Sequence, residues 1–398
     1  MIGLESRRAA LRLLDAVLRK GLPLEAALDV AARDLERIDD RAFAHAIVAE
    51  ALRRLPDLDA AIDSATKKRL PDDAKARFAL RIALVQALAM GTPHHAAIST
   101  VLPLVDGGPR KLVHGVFSAV MRSKQTLPEI PTLPEPVAMR WREQWGDAVV
   151  EAAARSIAVQ PPIDLIGEPP AAPEGISLFP GHLRLPRGTA VADLPGYAGG
   201  KWWVQDISAS MPARLLGPGD RRTVLDLCAA PGGKTMQLAS AGWDVTALDI
   251  SESRLARLSE NLERTGLKAK LVTADVMKWS PPAQVDAILL DAPCSATGIF
   301  RRHPDVLHRV RPRAIAELAE VQQAMLARVA GWVKPGGSLV YSVCSLERQE
   351  GEQVAAAFLE ARDDYRLEEE QRLLPGLHEA EGGADSFFIA RFTRKSAE

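Results

Sequence analysis

Apolar positions in the first third of the chain recur with helical period and are interrupted by proline and glycine. Ala10, Leu13, Leu14, Val17 and Leu18 share one helix face, and the pattern stops at Gly21. The same spacing predicts helices over Leu24 to Leu35, Ala42 to Leu52, Leu58 to Ala65, Ala74 to Met90, Ala96 to Leu104 and Lys111 to Met121. Breaks at Pro23, Pro56, Pro71, Pro93 and Gly107-Gly108-Pro109 keep the connections short, which implies an all-α bundle over residues 1–125. Residues 126–136 place four prolines within nine positions and read as a stiff linker. Trp141 and Trp145 begin a helix running to about Ala158, and short β-like pieces follow at 176–179, 183–185 and 189–191. Residues 137–201 therefore form a small α+β module.

From residue 202 to 398 the pattern alternates. Short apolar runs at 223–227, 244–249, 269–273, 287–290 and 338–342 read as strands. Between them, helical periods run over 235–241, 253–265 and 314–333. This order predicts a mostly parallel sheet covered on both faces, with ligands beyond the carboxyl ends of its strands. Gly382 to Ala390 reads as a turn into a closing edge strand.

Composition adds less. A chain of 398 residues suggests two or three domains, and 47% apolar with 25% charged residues is ordinary for a globular protein. Met1 to Arg8 has no apolar core of a secretory signal, and no run approaches a membrane span. Together with three cysteines and no disulfide pattern, this leads us to expect a cytoplasmic protein with free thiols. The net charge of −1 neither favours nor excludes nucleic acid. Over 1–125, however, 20 lysines and arginines face 15 acids, with one dense cluster at Lys67-Lys68-Arg69 that is either a solvated helix end or an RNA contact. His94-His95 has no further ligand nearby in sequence, and the cysteine spacing is not that of zinc, so no metal is expected.

The candidate chemistry begins where the strand 223–227 breaks into Cys228-Ala229-Ala230-Pro231-Gly232-Gly233-Lys234-Thr235. This is the strand–turn–helix that presents a small ligand to backbone N–H groups. Asp249, 23 residues after Asp226, ends the second strand and suits a ribose diol. Asp275 follows the third strand and suits an adenine amino group, and Arg254 opens the intervening helix. A nicotinamide site would require G-x-G-x-x-G, which is missing. A P-loop would require glycine where Cys228 stands. S-adenosylmethionine, with its charged tail, ribose and adenine, matches backbone donors and strand-end acids.

Asp291-Ala292-Pro293-Cys294 follows one strand and Cys344 another, so two thiols 50 residues apart can face one cleft. Covalent methyl transfer gives a thiolate a reason to be there. Carbon 5 of a pyrimidine is a feeble nucleophile until a thiolate adds at carbon 6. Asp291 can hydrogen-bond the ring edge as charge shifts, and Lys234 can polarise the centre. The target base must be unpaired or flipped.

Three segments carry a resemblance: Asp226-Leu-Cys-Ala-Ala-Pro-Gly-Gly-Lys-Thr235, Asp291-Ala-Pro-Cys-Ser-Ala-Thr-Gly298 and Tyr341-Ser-Val-Cys-Ser345. They resemble the signatures of the RNA 5-methylcytosine methyltransferases. Val204 to Ser210 and Arg301-Arg302-His303-Pro304-Asp305 are similar to the bacterial 16S ribosomal RNA branch, which carries an N-terminal NusB-like domain. The resemblance implies a NusB-like RNA-binding bundle followed by a Rossmann-like class I methyltransferase domain. It implies Cys344 as nucleophile and Cys294 as the residue that assists release. Lys234 and Asp291 then belong to the reacting centre, with Asp249 and Asp275 on ribose and adenine. Two departures stand out. The family's Leu-Arg-x-Asn after Pro161-Pro162 is replaced by Ile163-Asp164-Leu165-Ile166-Gly167, and the usual lysine and tryptophan after Pro304-Asp305 are missing.

Residues 301–313 carry five arginines and two histidines against Asp305, so Arg301, Arg302 and His303 are expected on the RNA backbone. The expected protein is a monomeric methyltransferase acting on C5 of a 16S ribosomal RNA cytosine. The alternatives are the same chemistry on tRNA or a non-catalytic RNA-binding assembly protein.

Overall fold

The structure, a computed structural model, describes residues 3–172 and 174–396. Met1 and Ile2 of the expected leader-free stretch lie outside them. Two compact units emerge: one runs up to Val159 and also takes in Phe300–Val310, and the other holds Gln160–Ile299 and Arg311–Glu398.

The first unit is all helix. It contains α1 (Leu4–Leu18), α2 (Leu24–Ala31), α3 (Ile38–Arg53), α4 (Leu55–Ser64), α5 (Lys75–Leu88), α6 (His94–Val101) and α7 (Gly108–Arg122), the seven helices the periodicity implied. Pro23 and Pro93 stand at the N-caps of α2 and α6, where a missing N–H leaves nothing unsatisfied. The helix α5 is buried on every side from Ala76 to Gln86, so it is the axis around which the others pack. The single helix expected across Trp141 and Trp145 is two, α8 (Glu135–Trp145) and α9 (Asp147–Ala158). Gly146 separates them at φ 84°, a conformation that side-chain-bearing residues resist.

The second unit opens with an antiparallel sheet in the order β2-β1-β3, made of β1 (Ile163–Gly167), β2 (His182–Leu185) and β3 (Trp202–Val204). The segment that departs from the resemblance, Ile163 to Gly167, is the central strand of this sheet. Asp164, on the central strand, is fully buried and accepts from Arg184 at 2.7 and 2.9 Å, from His182 and from the Ile207 N–H. Burial opposes the charge, yet these donors hold its carboxyl well below the usual range. The segment is a built core rather than a loop. Of the three β pieces expected, only the one at 183–185 forms a strand; Ile176 makes an isolated bridge to Arg184.

The main sheet follows α10 (Ile207–Arg214). Its elements are β4 (Thr223–Leu227), α11 (Gly233–Ser240), β5 (Asp244–Asp249), α12 (Glu252–Thr265), β6 (Lys270–Thr273) and β7 (Val285–Asp291). The short α13 (Val306–Arg309), in the first unit, interrupts before α14 (Pro312–Ala330), β8 (Val333–Val343), α15 (Glu352–Ala361), β9 (Tyr365–Leu373) and β10 (Phe387–Arg394). Strand order is β6-β5-β4-β7-β8-β10-β9, parallel from β6 to β8 and antiparallel beyond. Successive strands are added on one side of β4 as far as β6 and on its other side from β7, so a ligand crevice opens at the carboxyl end of β4. Alternate residues supply the two faces. Leu225, Leu227, Ile288, Leu290, Leu339 and Tyr341 pack with α14 and α15. Val224, Ala287, Leu289 and Val340 pack with α10 and α11. The strand β10, expected at the edge, is interior because β9 pairs outside it along its length, with a register shift between Arg391 and Phe392. No described helix is long and apolar enough to cross a membrane.

Candidate active site

The strand β4 ends at Leu227, and the chain turns through Cys228 at φ 61° and Gly232 at φ 106°. A Cβ on Gly232 would fall 2.0 Å from a methyl of Leu258, so only glycine lets this turn pack on α12. Asp249 anchors the turn. Its Oδ2 accepts from the Ala230 N–H at 3.1 Å and its Oδ1 from the Ser251 N–H at 2.9 Å. Arg254 donates to the Ala230 carbonyl and stands 3.6 Å from Asp249. Asp275 is partly open; its Oδ1 takes the Met277 N–H at 2.9 Å.

Beneath the turn Asp226 is fully buried. Thr235 Oγ1 donates to its Oδ2 at 2.6 Å, while Oδ1 has no partner. Burial raises its pKa to about 7 against the pull of Thr235 and Lys234. Burial also pushes the Cys228 thiol up to about 12, with Asp291, Asp249 and Asp226 adding to it. Cys228 thus packs as a protonated thiol among apolar neighbours, and its backbone shapes the turn.

The donor set fits S-adenosylmethionine and not a nucleotide phosphate. Three acids cluster at the ends of β4, β5 and β6, and both nearby cations are engaged, Lys234 with Asp291 and Arg254 with the Ala230 carbonyl. An acidic cradle with an orphaned carboxylate oxygen favours a cationic, hydroxyl-bearing ligand. Among the described residues no cluster could hold a metal ion.

Cys294 and Cys344, brought by the loops after β7 and β8, stand Sγ to Sγ at 3.5 Å. Lys234 Nζ donates to Asp291 Oδ2 at 2.8 Å, and Ser342 Oγ donates to Asp291 Oδ1 at 2.8 Å. Burial works against the Lys234 charge, but Asp291 outweighs it, with Asp226 and Cys344 contributing, so its pKa is raised. The Cys294 thiol lies well above its ordinary value through its contact with Cys344, then through burial and the charge of Glu350. Cys294 therefore keeps its proton and can donate it toward the Cys344 sulfur. The chemistry this permits is nucleophilic attack by one sulfur, with a proton-bearing thiol and an ammonium–carboxylate pair alongside.

Gly298 closes the site behind the sulfurs. Its N–H donates to the Cys344 carbonyl at 3.0 Å and its carbonyl accepts from the Ser386 N–H at 2.9 Å. A Cβ there would meet the Ser386 carbonyl at 2.2 Å. Sequence reasoning missed Glu350, which is fully buried behind both cysteine loops. It sits six residues past Cys344 in Leu346-Glu-Arg-Gln-Glu-Gly351, a stretch whose charge reads as solvated loop.

The basic segment is a correction in part. Arg301 is only 2% exposed, and its carbonyl accepts from Arg53 of the helical unit at 3.2 Å. Phe300 stacks against Trp141 with centroids 5.3 Å apart, and His308 bonds the Leu52 carbonyl at 2.7 Å. Burial lowers the His308 pKa to about 4. The apolar residues Phe300, Val306, Leu307 and Val310 carry the segment into the helical core, so Arg301 is a structural cation there and not an RNA grip. Arg302 and His303 are half-buried in the same unit.

Comparison with known proteins agrees with this geometry. A family described as 16S rRNA methyltransferase RsmB/F matches residues 213–393, and the NusB family matches residues 4–123. The chain is 34% identical to ribosomal RNA small subunit methyltransferase B of Xylella fastidiosa strain Temecula1, across 98% of each protein. It is 32% identical to the protein of that name from Klebsiella pneumoniae, again across 98% of each. Among solved structures, PH0851 superposes with a TM-score of 0.75 at 22% identity, covering 98% of this chain and 99% of the other, a likeness of fold.

Proposed function

Because the chain belongs to the 16S rRNA methyltransferase RsmB/F family, we propose that it methylates carbon 5 of a cytosine in 16S ribosomal RNA through a covalent bond from Cys344 to carbon 6. It is an S-adenosylmethionine-dependent methyltransferase with an RNA substrate. The observation that carries the covalent reading is the 3.5 Å approach of Cys294 and Cys344 beside the Lys234–Asp291 pair. Bound S-adenosylmethionine supplies the electrophilic methyl group. The residues of the β4 turn, Cys228 to Gly233, would hold its amino-acid end, with Asp249 and Arg254 toward the ribose and Asp275 toward the adenine.

Cys344 attacks as a thiolate. Its sulfur bonds to carbon 6, and the ring's electron pair moves to carbon 5, where the methyl carbon is taken up. Asp291 accepts from the amino edge of the base, and Lys234 offsets the negative charge that builds on the ring. Solvent water then takes the carbon 5 proton, the C–H electron pair re-forms the ring double bond, and the carbon–sulfur bond breaks with its pair going to the Cys344 sulfur. Cys294 holds its proton 3.5 Å from the departing sulfur, donates it to the Cys344 thiolate as release completes, and regains a proton from solvent. Arg302 and His303 contact the RNA, the target is unpaired or flipped, and the enzyme works as a cytoplasmic monomer.

Cysteine removal tests this. Purified Cys344→Ala should show no methylation of unmodified 16S RNA while still binding S-adenosylmethionine, and retained turnover would overturn the assignment. Bisulfite sequencing of ribosomal and transfer RNA from a deletion strain should show one cytosine lost in 16S RNA; a loss confined to tRNA would favour the tRNA alternative.

A further inference from the structure

Besides the contact between them, the sulfurs have among the described residues only the Ala296 N–H, which bonds to Cys294. Their placement comes from the residues that follow. Ser295 and Ser345 are both buried, and both donate their hydroxyls to Glu350 Oε2, Ser345 at 2.5 Å. Glu350 Oε1 accepts from the Ser295 backbone N–H at 2.8 Å and from Gln322 Nε2 at 3.0 Å. The carboxylate therefore has four donors, and three of them belong to the residues immediately after the two cysteines. Thr297 joins the same cluster through hydroxyl contacts to Ser295 and Ser345 at 3.3 Å each, and accepts from the Leu346 N–H at 3.1 Å. Tyr341 donates to the Glu350 carbonyl at 2.5 Å, so the acid is itself held by the strand that leads to Cys344.

A sealed carboxylate is costly, and among the described residues no lysine, arginine or histidine is bonded to this one. A fold needing only to close these loops could do so with neutral groups. We infer that Glu350 is a positioning residue for the reaction, one anion that ties the Pro-Cys loop to the Ser-Val-Cys-Ser loop and sets the separation of the two sulfurs. This rests on the two-cysteine reading above. Four donors converging on two oxygens leave little slack, and a displacement of about 1 Å at a reacting group can cost on the order of 100-fold in rate. Glu350 touches neither substrate nor sulfur in this geometry; it acts through Ser295 and Ser345.

Glu350→Gln is the informative variant. The amide oxygen can still take the Ser295 N–H and the Gln322 donor, and its NH2 can face serine hydroxyls that rotate to accept, so the shape is kept while the charge is lost. With purified full-length protein, melting and S-adenosylmethionine binding should match wild type. Methylation kcat should fall about 10- to 100-fold, with KM for RNA within about two-fold. A second readout needs no RNA. Diamide takes two hydrogens from a pair of thiols, joining them as a disulfide while it is reduced to the hydrazine. Peptide mapping of Cys294–Cys344 disulfide against time thus reports the sulfur separation. Glu350→Gln should form this bond at least about five-fold more slowly, and Ser345→Ala, which removes one arm, should slow it less; the same pair of assays on Ser345→Ala decides the matter if Glu350→Gln does not fold. A wild-type disulfide rate in the variant overturns the inference, and so does a slower rate with unaltered kcat. Failure of wild-type protein to methylate cytosine would instead overturn the functional reading, and the thiol assay would register that separately.

Discussion

Both units of the chain bury forked arginines, Arg77 and Arg81 in one and Arg184 in the other, but the catalytic unit also holds one cation, Lys234, in a different way. In the helical unit Arg77 is fully buried and Arg81 nearly so. Arg81 grips both oxygens of Asp59 at 2.8 Å and adds the Asp72 carbonyl. Arg77 grips Asp63 at 2.7 and 3.0 Å and also reaches Asp59 and the Leu70 carbonyl. These are forked pairs in which every guanidinium nitrogen meets an acceptor, which fixes their geometry. In the catalytic unit Lys234 is largely but not fully covered, and its three-donor ammonium has one hydrogen-bond acceptor, Asp291, and otherwise only the Phe387 ring at 5.6 Å among the described residues. Several converging acceptors fix Arg77 and Arg81 in the fold, whereas the single acceptor on Lys234 leaves its ammonium donors to spare for a visitor.

The sharpest way to break that contrast is to remove each cation in turn. Lys234→Met should lower kcat/KM for RNA by about 1,000-fold or more, the scale of losing a preorganised charge at a reacting centre, and leave melting nearly unchanged. Arg77→Met should do the reverse. Its partners Asp59 and Asp63 stay partly open to water, so stability should fall by roughly 1–3 kcal/mol in urea unfolding. Methylation per folded molecule should change less than about two-fold. If Arg77→Met abolished turnover in folded protein, the number of acceptors around a buried cation would be no guide to its role.

Asp291→Asn sharpens the pair from the other side. It keeps the Ser342 hydrogen bond and leaves Lys234 without its counter-charge, and should cost about 100- to 1,000-fold in kcat. A smaller effect belongs to Asp226, whose folded pKa near 7 lies above the usual carboxylate value. The folded state then binds the extra proton across that interval. Stability contributed by this group is full below about pH 4 and declines as pH rises toward 7. Asp226→Asn keeps the Thr235 bond and should flatten that decline, raising the melting temperature at pH 8 by a few degrees. A lower melting temperature at pH 8 would show that the charge is needed there.

Much of the site was legible because its chemistry lies in contiguous motifs at strand ends. The β4 turn, Asp249, Asp291 and both cysteines follow apolar runs whose period marks the strands, and an open parallel sheet gathers such positions at one edge. Other features depend on partners remote in sequence. Arg301 belongs to a segment rich in arginine, yet its burial follows from Phe300, Val306 and Leu307, three apolar residues that reveal their direction only once a core is present to receive them. The break at Gly146 escaped because Trp141 and Trp145 keep helical spacing straight up to it. The strand β10 was recognised but not its place, since a strand's own pattern does not say which neighbour will cover it. Glu350 was invisible because nothing local distinguishes a sealed acid from a solvated one.

The covalent bond from Cys344 is the centre of this account, and trapping it is the most direct test. Cys294→Ala, incubated with S-adenosylmethionine and unmodified 16S RNA, should give a protein–RNA adduct that runs as a slower band under denaturing conditions. The band should vanish in the Cys294→Ala, Cys344→Ala double variant. An adduct that persists without Cys344, or no adduct from Cys294→Ala, would contradict the roles assigned to the two sulfurs.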